Sequence, residues 1–275
     1  MRSFSYPVLS NRDYVWFRVG GPGLANCLFF ATQAYVYAKK NGAEFIEPTW
    51  MKFSIGPWIR REKDKRIYRQ LFRPVGIRGL KKLLLISPLA SIRGKKIVKF
   101  SSLGNYFADL SNNVDIVNEY LSKIVLPETV SRVDEQELAD VIAIHVRLGD
   151  YVPELRIPLD WYCQVTSKIL SMNPSQKFAL FSDGTNEELE PLLSFQNVKK
   201  VFYGNAFADM WAISKCKLVI ASDSTFSAWG AFMGQKPIVF SKRHFPSVYN
   251  GTVPECVLGL KTDLPEELRK IILDE

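Results

Sequence analysis

The run from Val141 to Tyr151 reads Val-Ile-Ala-Ile-His-Val-Arg-Leu-Gly-Asp-Tyr. It sets Arg147 two residues after His145 and three before Asp150. A guanidinium held in this way can fork onto two phosphate oxygens, because its planar donors match their spacing and its charge does not titrate away. Asp150 offers a carboxylate that could take a proton from an attacking hydroxyl. A second cluster, Ser222-Asp-Ser-Thr-Phe-Ser227, puts Ser224, Thr225 and Phe226 where a helix should begin. Small hydroxyls there can cap the helix or hold a phosphate. Ser182 and Asp183 form a third cluster. Near the amino terminus, Gly20-Gly21-Pro22-Gly23 makes a tight turn before a helix. Such a turn brings backbone N–H groups to a phosphate, although Gly21-x-Gly23-x-x-Asn26 has Asn in place of the third glycine of a dinucleotide fingerprint. Each group also has a plain structural reading: a solvated turn, a capped helix, a bend.

The elements around these residues decide whether they converge. Residues 141–145 are β-branched or small, the pattern of a buried strand. After them strands are expected at 177–181, 198–203, 217–221 and 237–240. Helices are expected at 160–172, 186–195, 206–215, 224–233 and 264–273. This alternation implies a parallel sheet with right-handed crossovers, so the three polar clusters would open on one edge. The first half reads as strand 14–19, helix 24–40, strand 44–47, helix 79–86, strand 96–100 and helix 113–124. Residues 127–140 are polar and acidic and read as a linker. We therefore expect an α/β chain with domains 1–137 and 138–275.

The 36 basic residues outnumber 28 acidic ones, a net charge of +8 that favours anionic partners. Many of the bases fall between positions 60 and 99, either as a solvated surface or as a peripheral contact with anionic lipid. No apolar run is long enough for a signal peptide in residues 1–10 or for a membrane span. Cys27, Cys163, Cys216 and Cys256 are scattered without a Cys-x-x-Cys. Free thiols in a cytoplasmic chain, peripheral at most on the inner face of a membrane, are expected. Two histidines are too few for a His-rich metal centre. No P-loop pattern and no Asp-x-Asp occur. A bound diphosphate would then be met by Arg, hydroxyls and helix dipoles, with no cofactor and no metal. Helix-turn-helix, RNA-binding strand and zinc-finger patterns are missing too, so no nucleic-acid partner is expected. Trp50, Trp58 and Trp161 are candidates for stacking on a sugar, or for core packing.

At these residues the sequence resembles the α1,2-fucosyltransferase family. Its signature His-x-Arg-Arg-Gly-Asp-Tyr resembles His145 to Tyr151, with Leu148 at the second Arg. Its Gly-Leu-Gly-Asn-Gln-Met-Phe resembles Gly23 to Phe29, and its Ser-Asp-Asp resembles Ser182-Asp183-Gly184. Its Asn-Ser-Thr-Phe-Ser-Trp-Trp-Gly-Ala resembles Asp223 to Ala231. The resemblance implies two Rossmann-like domains facing a cleft, the GT-B arrangement, with the GDP-sugar held mainly by the second. It implies an inverting, metal-independent transfer of fucose from GDP-β-L-fucose to an oligosaccharide or lipid-linked glycan. By position, Arg147 would grip the β-phosphate, and Ser224, Thr225 and Phe226 would line the donor. Asp183 would lie near guanine or ribose. Gly23 and Asn26 would approach the donor from the other domain, and His145 and Asp150 would shape the site. The departures at Leu148, Ala25, Cys27, Gly184, Asp223 and Ala228 bear on the donor sugar; another GDP-linked deoxyhexose, or another nucleotide sugar, is the alternative.

Overall fold

The computed structural model describes residues 2–59, 66–87, 95–149 and 153–273. It divides into two compact units, Met1–Val130 and Ser131–Glu275. The division falls between two short helices, Pro127–Val130 and Glu135–Leu138, inside the stretch expected to be a linker. Asp134 caps the second of them, accepting from the N–H groups of Gln136 and Glu137.

In the first unit the strands are β1 (Ser3–Pro7), β2 (Arg18–Val19), β3 (Glu44–Phe45), β4 (Lys52–Phe53) and β5 (Lys96–Phe100). A parallel sheet of order β3-β1-β5 carries the helix Leu24–Asn41 against β1. That helix stops as its sequence requires. Lys39 and Lys40 fill the last turn, and Gly42, at φ 61°, turns its N–H back to the Ala38 carbonyl.

The expected strand at 14–19 is corrected. The first strand is Ser3–Pro7, and only Arg18–Val19 of the predicted run is extended, pairing with Lys52–Phe53. The reason is Arg18, which is fully buried. Its guanidinium donates to the carbonyls of Leu9, Gly20 and Thr49, so the chain winds around a cation. Tyr14 and Trp16, which gave the run its alternation, face outward.

The second unit holds β6 (Ile142–Val146), β7 (Phe178–Ser182), β8 (Val198–Lys200), β9 (Leu218–Ala221), β10 (Ile238–Phe240) and β11 (Glu255–Val257). They form one parallel sheet of order β11-β10-β9-β6-β7-β8. Its central strands are buried throughout, as parallel strands covered on both faces must be. The core joins Ile142, Ile144, Leu180, Ile220 and Val239 to Tyr162, Val165 and Ile169 of the helix Leu159–Met172. Trp161 belongs to this core: it is buried and its indole N–H donates to the Leu258 carbonyl at 2.7 Å, so it stacks on no sugar. The helix expected at 186–195 is only Glu190–Leu193. Pro191 has no N–H to extend it, and Thr185 and Glu188 cap one another just before it. Strand β11, an edge strand with only three residues, had no readable pattern. Among the described residues no helix is long and apolar enough to cross a membrane.

Candidate active site

Within the second unit the chain adds β7 and β8 on one side of β6, then returns to add β9, β10 and β11 on the other. The order of the sheet therefore reverses between β6 and β9. In open α/β sheets the ligand crevice lies at such a reversal, outside the carboxyl ends of the strands. The three polar clusters follow β6, β7 and β9, which are neighbours, so they share this edge.

Arg147 follows the last residue of β6. Its Nη1 lies 2.6 Å from Asp183 Oδ2, and the two side chains are 24% and 25% exposed. The pair is thus open to solvent at the strand edge. The other oxygen of Asp183 accepts the N–H groups of Leu148 at 2.9 Å and Gly149 at 3.1 Å. One carboxylate therefore holds both the Arg147 guanidinium and the backbone that carries it. Gly149 is required by this closeness, since a β-carbon there would stand 2.6 Å from Asp183 Oδ2. Leu148 turns inward and is buried. Its Cδ1 would be 2.6 Å from a β-carbon at Gly184. Two of the departures from the fucosyltransferase motifs thus touch each other, and the missing side chain at 184 makes room for the leucine at 148.

His145 is buried behind Arg147. Its Nδ1 is 2.8 Å from Ser222 Oγ, and its ring stacks on Phe226 with centroids 5.1 Å apart. Burial first, and the Arg147 charge second, push its pKa down to about 3. The ring is neutral and ties β6 to β9 across the reversal. Ser224 caps the helix Thr225–Gly234, its Oγ accepting the Phe226 N–H at 3.2 Å. That helix aims its amino end at the same edge, with Thr225 as its first residue. Asp223 holds the loop after β10, accepting the His244 backbone N–H at 2.9 Å.

Not every candidate is brought together here. Gly23 and Asn26 belong to the first unit. Gly23 is the extended cap before Leu24–Asn41, with open space where a side chain would be, and Asn26 is half-buried in the first turn. Asp150 and the neighbouring Tyr151 lie outside the described residues.

Residues 95–243, more than half of the chain, match the model of glycosyl transferase family 11. The chain belongs to that family. The O-antigen biosynthesis glycosyltransferase WbnK of Escherichia coli is 29% identical over 122 residues, 39% of this chain and 39% of WbnK. The match therefore spans about two-fifths of that relative's length. Among solved structures, the fucosyltransferase NodZ from Bradyrhizobium superposes with a TM-score of 0.54 at 14% identity, covering 88% of this chain and 96% of NodZ. A mutant of Arabidopsis thaliana FUT1 in complex with GDP gives 0.50 at 12% identity, covering 90% of this chain and 72% of that one. At these identities the likeness is one of fold. The family 11 chain has the α/β fold of the GT-B glycosyltransferases, with a parallel sheet in each unit.

The first unit of the family 11 chain has a concavity of its own, about 710 Å³, lined in part by the residues that follow β3. Trp16, Phe17, Trp50, Phe72, Glu47 and Arg78 are among its walls. Trp50 packs on Phe72 with ring centroids 4.3 Å apart. The side chain of Trp58 lies outside the described residues. Burial raises the Glu47 pKa, against the opposing charges of Lys82 and Arg78. Behind the wall, Lys82 is buried with its Nζ 2.5 Å from Thr49 Oγ1 and 3.3 Å from Asp13 Oδ2. Burial alone would raise the Asp13 carboxyl. Lys82, Tyr6, Thr49 and the Val15 N–H together bring it below its ordinary value. Sequence reasoning missed Glu47, the contact of Ser222 with His145, and this cluster. The available signal was position alone, since Glu47 and Ser222 each stand just past a strand end.

Proposed function

We propose that the family 11 chain transfers L-fucose from GDP-β-L-fucose to a galactoside hydroxyl, with inversion and without a metal, making an α1,2 linkage in a surface polysaccharide. The observation that carries this reading is Arg147, solvent-open at the sheet reversal and held by Asp183. Displacement at the anomeric carbon leaves negative charge on the departing β-phosphate and positive charge on the sugar ring. A fixed guanidinium beside a helix amino end stabilises the first of these charges. Arg147 reaches solvent beside Asp183, and its planar guanidinium matches the spacing of phosphate oxygens that approach it from that side. Ser224 and Thr225 present hydroxyls at the same edge, and neutral His145 sets the wall behind. Trp50 lines the first unit's concavity but is buried against Phe72, so its ring is part of the wall and not a platform for a sugar.

Relatives support the donor and the setting. NodZ is described as an α-1,6-fucosyltransferase, crystallised with GDP and soaked with GDP-fucose. WbnK is described as acting in O-antigen biosynthesis. Metal independence rests on the sequence, which has no Asp-x-Asp to chelate an ion against the diphosphate. One observation favours a second reading, another GDP-linked deoxyhexose: the Leu148–Gly184 contact replaces two polar positions beside Asp183.

The test is a donor panel of GDP-fucose, other GDP-linked deoxyhexoses, GDP-mannose and UDP-galactose, with a galactoside acceptor and a chelator present. GDP-fucose should be used best, the chelator should be harmless, and the product should carry the α1,2 linkage by NMR. Preference for a UDP-sugar, or activity abolished by the chelator, contradicts the proposal.

A further inference from the structure

The helix Gly79–Ile86, Gly-Leu-Lys-Lys-Leu-Leu-Leu-Ile, is turned inside out. Its inward face carries Lys82, 1% exposed, in the cluster with Asp13 and Thr49, together with Leu85. Its outward face carries Leu80, Leu83 and Leu84, which are 70%, 41% and 52% exposed. Residues spaced i, i+3 and i+4 lie on one stripe of a helix, so these leucines form a single apolar strip toward solvent. Folding has accepted a buried lysine and left three leucines outside, the reverse of the usual arrangement.

The same unit exposes further apolar side chains. Gly79, the first residue of the helix, and the exposed Trp16 line the same concavity. Tyr14 stacks on Phe17, and Phe17 meets Phe53 edge to face; Tyr14 and Phe53 are exposed as well. Arg69, Arg73, Arg78 and Lys81, which are also exposed, surround this surface in sequence. Charge follows the same division. Met1–Val130 holds 21 basic and 9 acidic residues, against 15 and 19 in Ser131–Glu275. The whole basic excess is therefore in the unit that exposes the leucines, and 14 of its bases fall between positions 60 and 99.

We propose that the Leu80–Leu83–Leu84 face, together with the exposed Trp16 of the concavity that Gly79 borders, docks the chain on an anionic lipid bilayer. An apolar strip too short to span, interfacial aromatics and a basic surround are the makings of an interfacial helix. Anionic head groups answer a local excess of positive charge, which a second copy of the same basic surface would repel. The inference is independent of the donor reading above.

The test is co-sedimentation of the full chain with vesicles of phosphatidylcholine, alone or mixed with phosphatidylglycerol. The wild type should bind the mixed vesicles, bind phosphatidylcholine alone poorly, and be released by high salt. The variant Leu80→Ser/Leu83→Ser/Leu84→Ser should bind about tenfold more weakly with an unchanged unfolding midpoint. If the triple variant melts early, Leu80→Ser alone, at the most exposed position, serves in its place. A wild type that stays in the supernatant, or a folded variant that binds as well as wild type, overturns the proposal. So does a wild-type dimer in light scattering that the variant abolishes while vesicle binding is absent, since a second copy would then be the occupant.

Discussion

The carboxyl edges of the two sheets treat cations in opposite ways. In the second unit, Arg147 stays a quarter exposed and pairs with the equally exposed carboxylate of Asp183. In the first, Arg18 and Lys82 are buried outright, Arg18 on backbone carbonyls and Lys82 on Thr49 and Asp13. A cation whose donors are taken up by the protein's own carbonyls organises loops. One that reaches solvent beside a carboxylate is fitted to meet a ligand. The same residue type thus reads as scaffold in one unit and as chemistry in the other, and exposure with partner type tells them apart.

The sharpest way to break this contrast is to remove a buried cation. Lys82→Met leaves Asp13 charged and buried, and should cost about 3–5 kcal/mol in urea unfolding. Adding Asp13→Asn should restore most of that loss. If Lys82→Met alone is neutral, the buried pair does not hold the edge of the first unit.

A second prediction concerns His145. Its folded-state pKa, about 3, lies below the roughly 6.5 of an unfolded histidine. The unfolded chain therefore takes a proton first as pH falls. The stability that His145 gives is complete above about pH 6.5 and drains away toward its folded value, losing roughly 3 kcal/mol by about pH 4. Denaturation of wild type and His145→Gln across this range should show the slope in the first and its loss in the second. Equal slopes would mean that the ring is not held neutral.

Next in size is the Leu148–Gly184 contact. Leu148→Arg puts a charge where a leucine is buried, and should cost about 2–3 kcal/mol. Leu148→Arg/Gly184→Asp should recover about 1 kcal/mol through a new partner, a coupling that a double-mutant cycle reads directly. Simple additivity would deny that the two departures compensate. The smallest effect is expected at Asp183. Asp183→Asn can still accept the Leu148 and Gly149 N–H groups but loses the ion pair with Arg147. Transfer should fall about tenfold, roughly 1.4 kcal/mol, with the unfolding midpoint little changed. Wild-type turnover in that variant would remove Asp183 from the positioning of Arg147.

The two edges also differ in how far they can be read from sequence. In the second unit the strands are short β-branched runs with polar residues at their ends, and the hydrophobic period recovers β6 to β10 as parallel strands, though not β11 or the order of the sheet. The Arg147, Asp183 and Ser224 clusters were legible because each follows such a run. Their contacts were not: that Asp183 spans Arg147 to Gly149, or that Ser222 meets His145, depends on the register between strands. In the first unit the pattern misleads. Tyr14 and Trp16 alternate like a strand, yet they point outward because Arg18 takes the interior. The leucines of Gly79–Ile86 would be read as core, yet Lys82 holds that place. Buried ion pairs invert hydropathy, and a linear sequence does not show which cation has found a partner.

The central claim is that Arg147 carries the leaving diphosphate's charge, and turnover of Arg147→Ala with GDP-fucose and a galactoside tests it most directly. The rate should drop about a hundredfold, roughly 3 kcal/mol, in a variant that unfolds like wild type. A folded Arg147→Ala that transfers the sugar at close to the wild-type rate would contradict it.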